Sequence, residues 1–207
     1  MAFVIGMGIS DGSSVFTNWQ PRLPPDVDLR LSNVAPHPDA ILHDIPSAVA
    51  ASTFLIDPPE RGGMPELIWT SELHLFVVCT EVRNWLGEHQ PGKPEFFPVP
   101  VQSTRPIDGK TDHPGYFIMG MIPEVDPFDV DRTVWSGGMY GYKDGRTLHS
   151  AYDAPCVVIV EKRAGFHFWQ TSHRQGKKFM CSNEFWAFYR KNKFRGLEKM
   201  KKECPEE

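Results

Sequence analysis

The 207-residue chain contains no C-x-x-C pair. Its four cysteines, Cys79, Cys156, Cys181 and Cys204, are widely spaced, which argues against a zinc ribbon or a thioredoxin-type site. Cys79 and Cys156 sit in apolar segments and read as buried small hydrophobes. A reducing compartment fits this usage best, and the sequence leaves open whether any cysteines pair. Nowhere is there an uncharged apolar run of the roughly 20 residues needed to span a bilayer. Residues 1–9 are apolar, but no basic residue precedes them and no small-residue cleavage pattern follows, so they do not read as a secretory signal. A soluble, cytoplasmic protein without a membrane partner is expected.

Catalytic and ligand-binding signatures are equally scarce. There is no G-x-S-x-G, the turn that presents a hydrolase serine. The eight His, at 37, 43, 74, 89, 113, 149, 167 and 173, include no two four residues apart, the spacing that places two metal ligands on one helix face. Gly6 and Gly8 follow a short apolar run, but Asp11 stands where a dinucleotide fingerprint needs its third glycine. A plain turn is the better reading. No metal, no cofactor and no catalytic residue is expected.

What the chain does have is ordinary for a folded protein: 41% hydrophobic and 23% charged residues, a balance that excludes wholesale disorder. Nineteen Pro and 17 Gly demand many turns and argue against an all-helical bundle. Charge is unevenly placed. Residues 1–160 carry 10 Lys and Arg against 20 Asp and Glu, whereas residues 161–202 carry 12 against three. Such polarity can steer a charged partner.

The periodicity predicts a helix over residues 71–86, with Ser71 as N-cap, Leu73, Phe76, Val77, Val82, Trp85 and Leu86 as its apolar face, and Gly87 as its stop. Trp69 would pack back onto its first turn. A shorter helix is expected near 46–54 and another near 183–192, capped by Ser182 and closed by Gly196. Residues 95–101 read as an edge or bulged strand because of Pro98 and Pro100. Residues 116–122 read as a buried strand, and 156–160 with 166–169 as a hairpin turning at 163–165. Two polar connections, 102–115 and 136–154, separate these, and the tail from Lys199 is expected to fray. The class is α+β: a single domain, a mixed or antiparallel sheet, two main helices and a Pro-rich irregular N-terminal region.

Three segments offer chemistry. The acidic run 124–131 could set Asp126 or Asp129 beside His113, His149 or His167 for acid–base work, although Asp more often closes turns with its own backbone. Residues 177–202 interleave aromatics with Lys and Arg, the composition of a single-stranded nucleic-acid surface; at helical spacing those rings more often form core. The Gly- and Tyr-rich stretch 136–145 has the composition of an adaptable protein-binding loop.

An ordered series of short motifs carries a resemblance. Thr70-Ser71-Glu72-Leu73 is followed by Glu95-Phe96-Phe97-Pro98-Val99, Gly115-Tyr116-Phe117-Ile118-Met119 and Val125-Asp126-Pro127-Phe128-Asp129. Then come Val157-Val158-Ile159, Gly165-Phe166-His167-Phe168-Trp169, Phe179-Met180-Cys181-Ser182 and Phe194-Arg195-Gly196-Leu197-Glu198. In this layout the chain resembles the bacterial immunity-protein-11 family, formerly a domain of unknown function, over residues 66–198. Residues 1–65 would then be an arm or part of the core, and 199–207 a charged tail. The resemblance implies a non-catalytic antidote that binds and neutralises a cognate toxin of a polymorphic toxin system. The acidic balance of residues 1–160 would suit a basic toxin domain, and the Gly/Tyr loop makes Tyr140, Tyr142 and Asp144 the expected contacts. An enzyme using Asp126 or Asp129 with a nearby His, and a nucleic-acid binder through 177–202, are the alternatives.

Overall fold

Two five-stranded sheets meet across one large core. The computed structural model describes residues 2–7, 53–56, 63–70, 75–92, 94–120, 122–129, 131–133, 139–141, 147–149, 156–171 and 179–207. Its elements are β1 (Ala2–Met7), β2 (Phe54–Ile56), β3 (Leu67–Thr70), β4 (Leu75–Cys79), α1 (Thr80–His89), β5 (Phe96–Ile107), β6 (Lys110–Met119) and β7 (Glu124–Val125). They continue with β8 (Met139–Gly141), β9 (Thr147–His149), a 3-10 turn (Glu161–Arg163), β10 (Phe168–Thr171), β11 (Phe179–Ser182), α2 (Asn183–Lys191) and β12 (Leu197–Cys204). One sheet runs β12-β1-β11-β10-β7 and the other β2-β5-β6-β4-β3. Each is antiparallel apart from one parallel pair, β10 with β7 and β2 with β5. The expected α+β class is found, with mixed sheets and two helices among the described residues.

The predicted helix over 71–86 is corrected. Residues 75–79 form β4, and the helix begins at Thr80 behind an N-cap at Cys79. Leu-Phe-Val-Val-Cys is an unbroken apolar run whose last four residues are all buried. A strand covered on both faces loses its alternation, so this one mimicked a helix face. Ser71 and His74 lie outside the described residues. Trp69 sits in β3 opposite Phe76, its ring 4.7 Å away. Gly87 lies within α1, which closes at Gln90. Residues 46–52 of the other expected helix lie outside the described residues, and Phe54 belongs to β2.

The connection expected over 102–115 is mostly strand. β5 and β6 form a long hairpin joined by Asp108 and Gly109, both at positive φ (50° and 76°). That pair of angles is the mark of a type I′ turn, which Asp-Gly favours. Val101 and Ser103 face inward while Gln102 and Thr104 are exposed, so half of each strand is polar. The bulge expected at the prolines is present between Val99 and Val101. In contrast, 156–160 does not pair with 166–169. Val158 bridges Phe128 and Glu206, and β10 pairs with β11 and β7.

β1 lies between β11 and β12 and β2 pairs with β5, so residues 1–65 contribute a strand to each large sheet. The tail expected to fray is β12, and residues beyond it continue the pairing: Val158 N–H donates to Pro205 O, and Glu207 N–H to Val158 O. Arg132 makes a two-pronged contact with the Glu207 carboxylate. Cys156, read as a simple buried hydrophobe, is disulfide-bonded to Cys204 across a Cα–Cα distance of 5.1 Å. Cys79 and Cys181 are buried and take no part in a disulfide.

Phe76 stands at the junction of the two sheets. Its ring meets Trp69, Phe168 and Phe179 at centroid distances of 4.7, 5.0 and 4.7 Å. On β10 and β11, Phe168 and Cys181 face this main core, while their neighbours Trp169 and Met180 face a smaller one with Phe128, Cys156 and Val158. A second joint lies after α2. Arg195 N–H donates to the Glu66 carboxylate (2.7 Å), and Leu67 N–H to Arg195 O (3.3 Å). Leu197 N–H then donates to the Tyr189 hydroxyl (3.0 Å). Burial raises the pKa of both Glu66 and Tyr189.

Candidate functional site

Of the expected contact residues, Tyr140 lies in β8, opposite Leu148 of β9. These strands form a two-stranded sheet of their own, outside both larger sheets. Tyr142 and Asp144 belong to the connection between them and lie outside the described residues.

Of the groups proposed for acid–base work, Asp129, His113 and His167 each have partners of their own. Asp129 Oδ1 accepts from the N–H groups of Asp131 and Arg132, both at 3.1 Å. That is the turn-closing use of aspartate. His113 pairs with Ser103 across the β5–β6 hairpin (2.9 Å), and burial lowers its pKa. His149 lies in β9, opposite Met139. His37, His43 and His173 fall outside the described residues. Among the described residues no group of three His, Cys, Asp or Glu could hold a metal ion.

The structure gathers a different set of groups where α1, β10 and α2 meet. Val82 and Leu86, one turn apart, anchor α1, which leaves Trp85 and His89 on one flank. Gln90 then turns inward, and its side-chain carbonyl accepts from the N–H groups of His167 (3.2 Å) and Phe168 (2.8 Å). This fixes His167 edge-on to Trp85, 5.2 Å between centroids. Trp85 is stacked between His89 (4.3 Å) and Phe188 (5.2 Å), and His89 Nδ1–H donates to Trp85 O.

Ser182 caps α2, accepting from Phe185 N–H at 3.1 Å, and its hydroxyl lies 2.8 Å from His167 Nδ1. It is fully buried. A serine committed to a cap and closed to solvent is a brace for the imidazole, not a nucleophile. Arg163, also buried, lies 3.6 Å from both Glu184 and Glu206. Partial burial would raise the Glu184 pKa, but the helix-start N–H, Ser182, Arg163 and His167 together hold it below its ordinary value. His167 is pushed the other way from a charged imidazole, first by burial and then by the Arg163 cation.

That depression fixes a sign. The unfolded chain binds a proton at this histidine more readily than the folded one. The associated stability is complete above the ordinary histidine pKa, near 6.5, and is lost as pH falls below it. Thermal unfolding is expected to move to lower temperature between about pH 7.5 and about pH 5.5. His167→Gln should reduce that acid sensitivity, with His113 supplying part of what remains. An equal acid shift in variant and wild type would remove His167 from the account.

Sequence reading missed this cluster. The i, i+4 pair Trp85 and His89 was visible, but Arg163, Glu184 and Glu206 come from distant stretches that only the sheet order brings together. The basic aromatic segment is placed as the core reading had it: Phe185 and Tyr189 are buried, with Arg190, Lys191 and Lys193 exposed. No helix among the described residues is long and apolar enough to cross a membrane.

Among the described residues, two five-stranded mixed sheets and two helices define an α+β protein. A family model described as Immunity protein family (Imm11) matches residues 26–201, and the chain belongs to that family. The match extends N-terminally beyond residues 66–198, the span of the motif resemblance. No curated protein matches the chain.

Proposed function

We propose that the chain is a non-catalytic, cytoplasmic immunity protein of a bacterial polymorphic toxin system, and that it neutralises a cognate toxin by binding and covering it. Membership of the immunity family over residues 26–201 is the observation that carries this reading. The uses found for Asp129, His113, His167 and Ser182 support it, since each is employed in bracing its own neighbourhood. Occlusion needs only a stable scaffold, aromatic anchors and a charged surface complementary to the partner.

Tyr140, Tyr142 and Asp144 are the proposed contacts. Tyr140 starts from a two-stranded sheet separate from the main sheets, and tyrosine offers large contact area at low entropic cost. The toxin domain encoded beside this chain should bind it and lose its toxicity on co-expression. Alanine at all three positions should weaken binding by about tenfold or more. Unchanged affinity would remove the hairpin from the interface, whereas absence of binding and protection by the unaltered chain would remove the reading itself.

A further inference from the structure

The last residues of the chain form a strap. Beyond β12, Pro205, Glu206 and Glu207 run beside residues 158–160. Val158 N–H donates to Pro205 O (2.8 Å), Glu207 N–H to Val158 O (3.0 Å) and Val160 N–H to Glu207 O (3.0 Å). The opposite edge of the same segment is held separately: Asp129 N–H donates to Val157 O (2.9 Å) and Ile159 N–H to Pro127 O (2.8 Å). The Arg132 contact with the Glu207 carboxylate lies in solvent, where an ion pair contributes little. The covalent tie is the Cys156–Cys204 disulfide, which joins residues 48 apart in sequence.

Both bonded cysteines are buried, Cys156 1% and Cys204 0% exposed. The bond therefore forms with the strap seated, and a reducing thiol reaches it when the strap lifts. Because β12 is the edge of its sheet, its end can swing out and leave β1, β11 and β10 paired. Glu206, on the strap, lies 3.6 Å from the buried Arg163, whose Nε and Nη1 make no hydrogen bond. Lifting the strap takes that carboxylate away and leaves Arg163 facing the more exposed Glu184, which itself lies 3.9 Å from His167 Nδ1.

We propose that Cys156 and Cys204 are a redox-operated latch on the C-terminal strap, and that Glu206 carries the state of the latch to the Arg163, Glu184 and His167 cluster. In the reducing compartment that the cysteine usage suits, low-molecular-weight thiols keep such pairs reduced, so the latch rests open and closes on oxidation. Closure is a balanced exchange: the two thiols give two electrons and two protons to one small-molecule disulfide, which departs as two thiols as the S–S bond forms. Opening is the reverse, by attack of a small-molecule thiolate through a mixed disulfide. Cys79 and Cys181 sit in the other, larger core, which leaves the exchange to this pair. Without the bond the loop is no longer closed, and the strap keeps only its backbone pairing and an exposed ion pair, so it lifts more often. The latch does not depend on the immunity reading, and failure to bind a toxin leaves it standing.

Amide hydrogen exchange followed by NMR tests this on the full chain, first oxidised with a small-molecule disulfide and then reduced with a dithiol. Thiols are counted in each form by alkylation and mass. On reduction, protection of the Val158, Val160 and Glu207 amides should fall at least about tenfold. Asp129 and Ile159 on the opposite edge, and Cys79, which donates to Glu66 O, should change by less than about twofold. The His167 ring resonances should differ between the two forms, and Glu206→Gln should remove most of that difference. The double variant Cys156→Ala, Cys204→Ala should match the reduced chain and ignore both reagents; the reduced wild-type chain carries the comparison where that variant does not fold. Equal protection in the two forms would overturn the latch, and so would an even loss at every amide, which marks a general staple. Failure of the oxidant to join the two cysteines would refute it at the first step. His167 resonances indifferent to oxidation would overturn the link to the cluster.

Discussion

Gly196→Ala is expected to cost at least about 4 kcal/mol, a large part of the usual stability margin of about 5–15 kcal/mol. A Cβ at this position would stand 1.7 Å from Leu67 O and 2.9 Å from Leu67 C. Both are backbone atoms of β3, so no rotamer relieves the overlap. The residue also has φ +105°, a region in which an L side chain adds strain of its own. Retreat of residue 196 would break the Leu67–Arg195 hydrogen bond and draw Arg195 N–H from the half-buried Glu66 carboxylate. Leaving that half-buried carboxylate without its donor adds a smaller penalty, about 1 kcal/mol or less. Urea denaturation monitored by far-UV circular dichroism measures the effect, or the partition into insoluble material where the variant does not fold. A loss below about 1 kcal/mol would mean that β3 and the end of α2 separate easily, and that their close backbone approach is not a rigid joint.

Phe76→Ala should destabilise by about 3–5 kcal/mol, the range for truncating a buried aromatic ring. The ring is fully buried and meets Trp69 from its own sheet and Phe168 and Phe179 from the other. Edge-to-face pairs such as those with Phe168 and Phe179 contribute about 0.5–1.5 kcal/mol each beyond area alone. Phe76→Leu, which keeps most of the volume, should cost less, about 1.5 kcal/mol or under. The position also couples the two sheets. In the alanine variant, tryptophan fluorescence and circular dichroism should report separate transitions if coupling is lost, where the unaltered chain gives one. A loss under about 1 kcal/mol would show that the neighbours close over the gap and that the joint lies elsewhere.

What could be read from the sequence was what is local. Ser182 as cap, aromatics at i, i+3 and i+4, and Gly196 beyond lie within a few residues of one another, and α2 is found where they place it. Pro98 and Pro100 likewise announced the bulge in β5. α1 was misplaced because its strongest apolar neighbours belong to β4, whereas the helix itself buries only Val82 and Leu86. β12 failed for another reason. Leu-Glu-Lys-Met-Lys-Lys-Glu-Cys carries the lysines with which an edge strand discourages further pairing, and its partner β1 lies almost the whole chain away. The candidate site shows the same division. The Trp85 and His89 pair, four residues apart, was visible; Arg163 between Glu184 and Glu206 was not, because a buried arginine looks like any other until its neighbours are known.

The place of β1 sets a timetable on the ribosome. Its two neighbours in the sheet are residues 179–182 and 197–204, and translation proceeds at about 5–20 residues per second. The first strand therefore waits roughly 10–40 s for the partners that complete its sheet. Until the last strand emerges, β1 is without one of its two neighbours and the sheet is incomplete. A cell that needs this molecule cannot obtain it from half-made copies; it must keep a finished stock in advance.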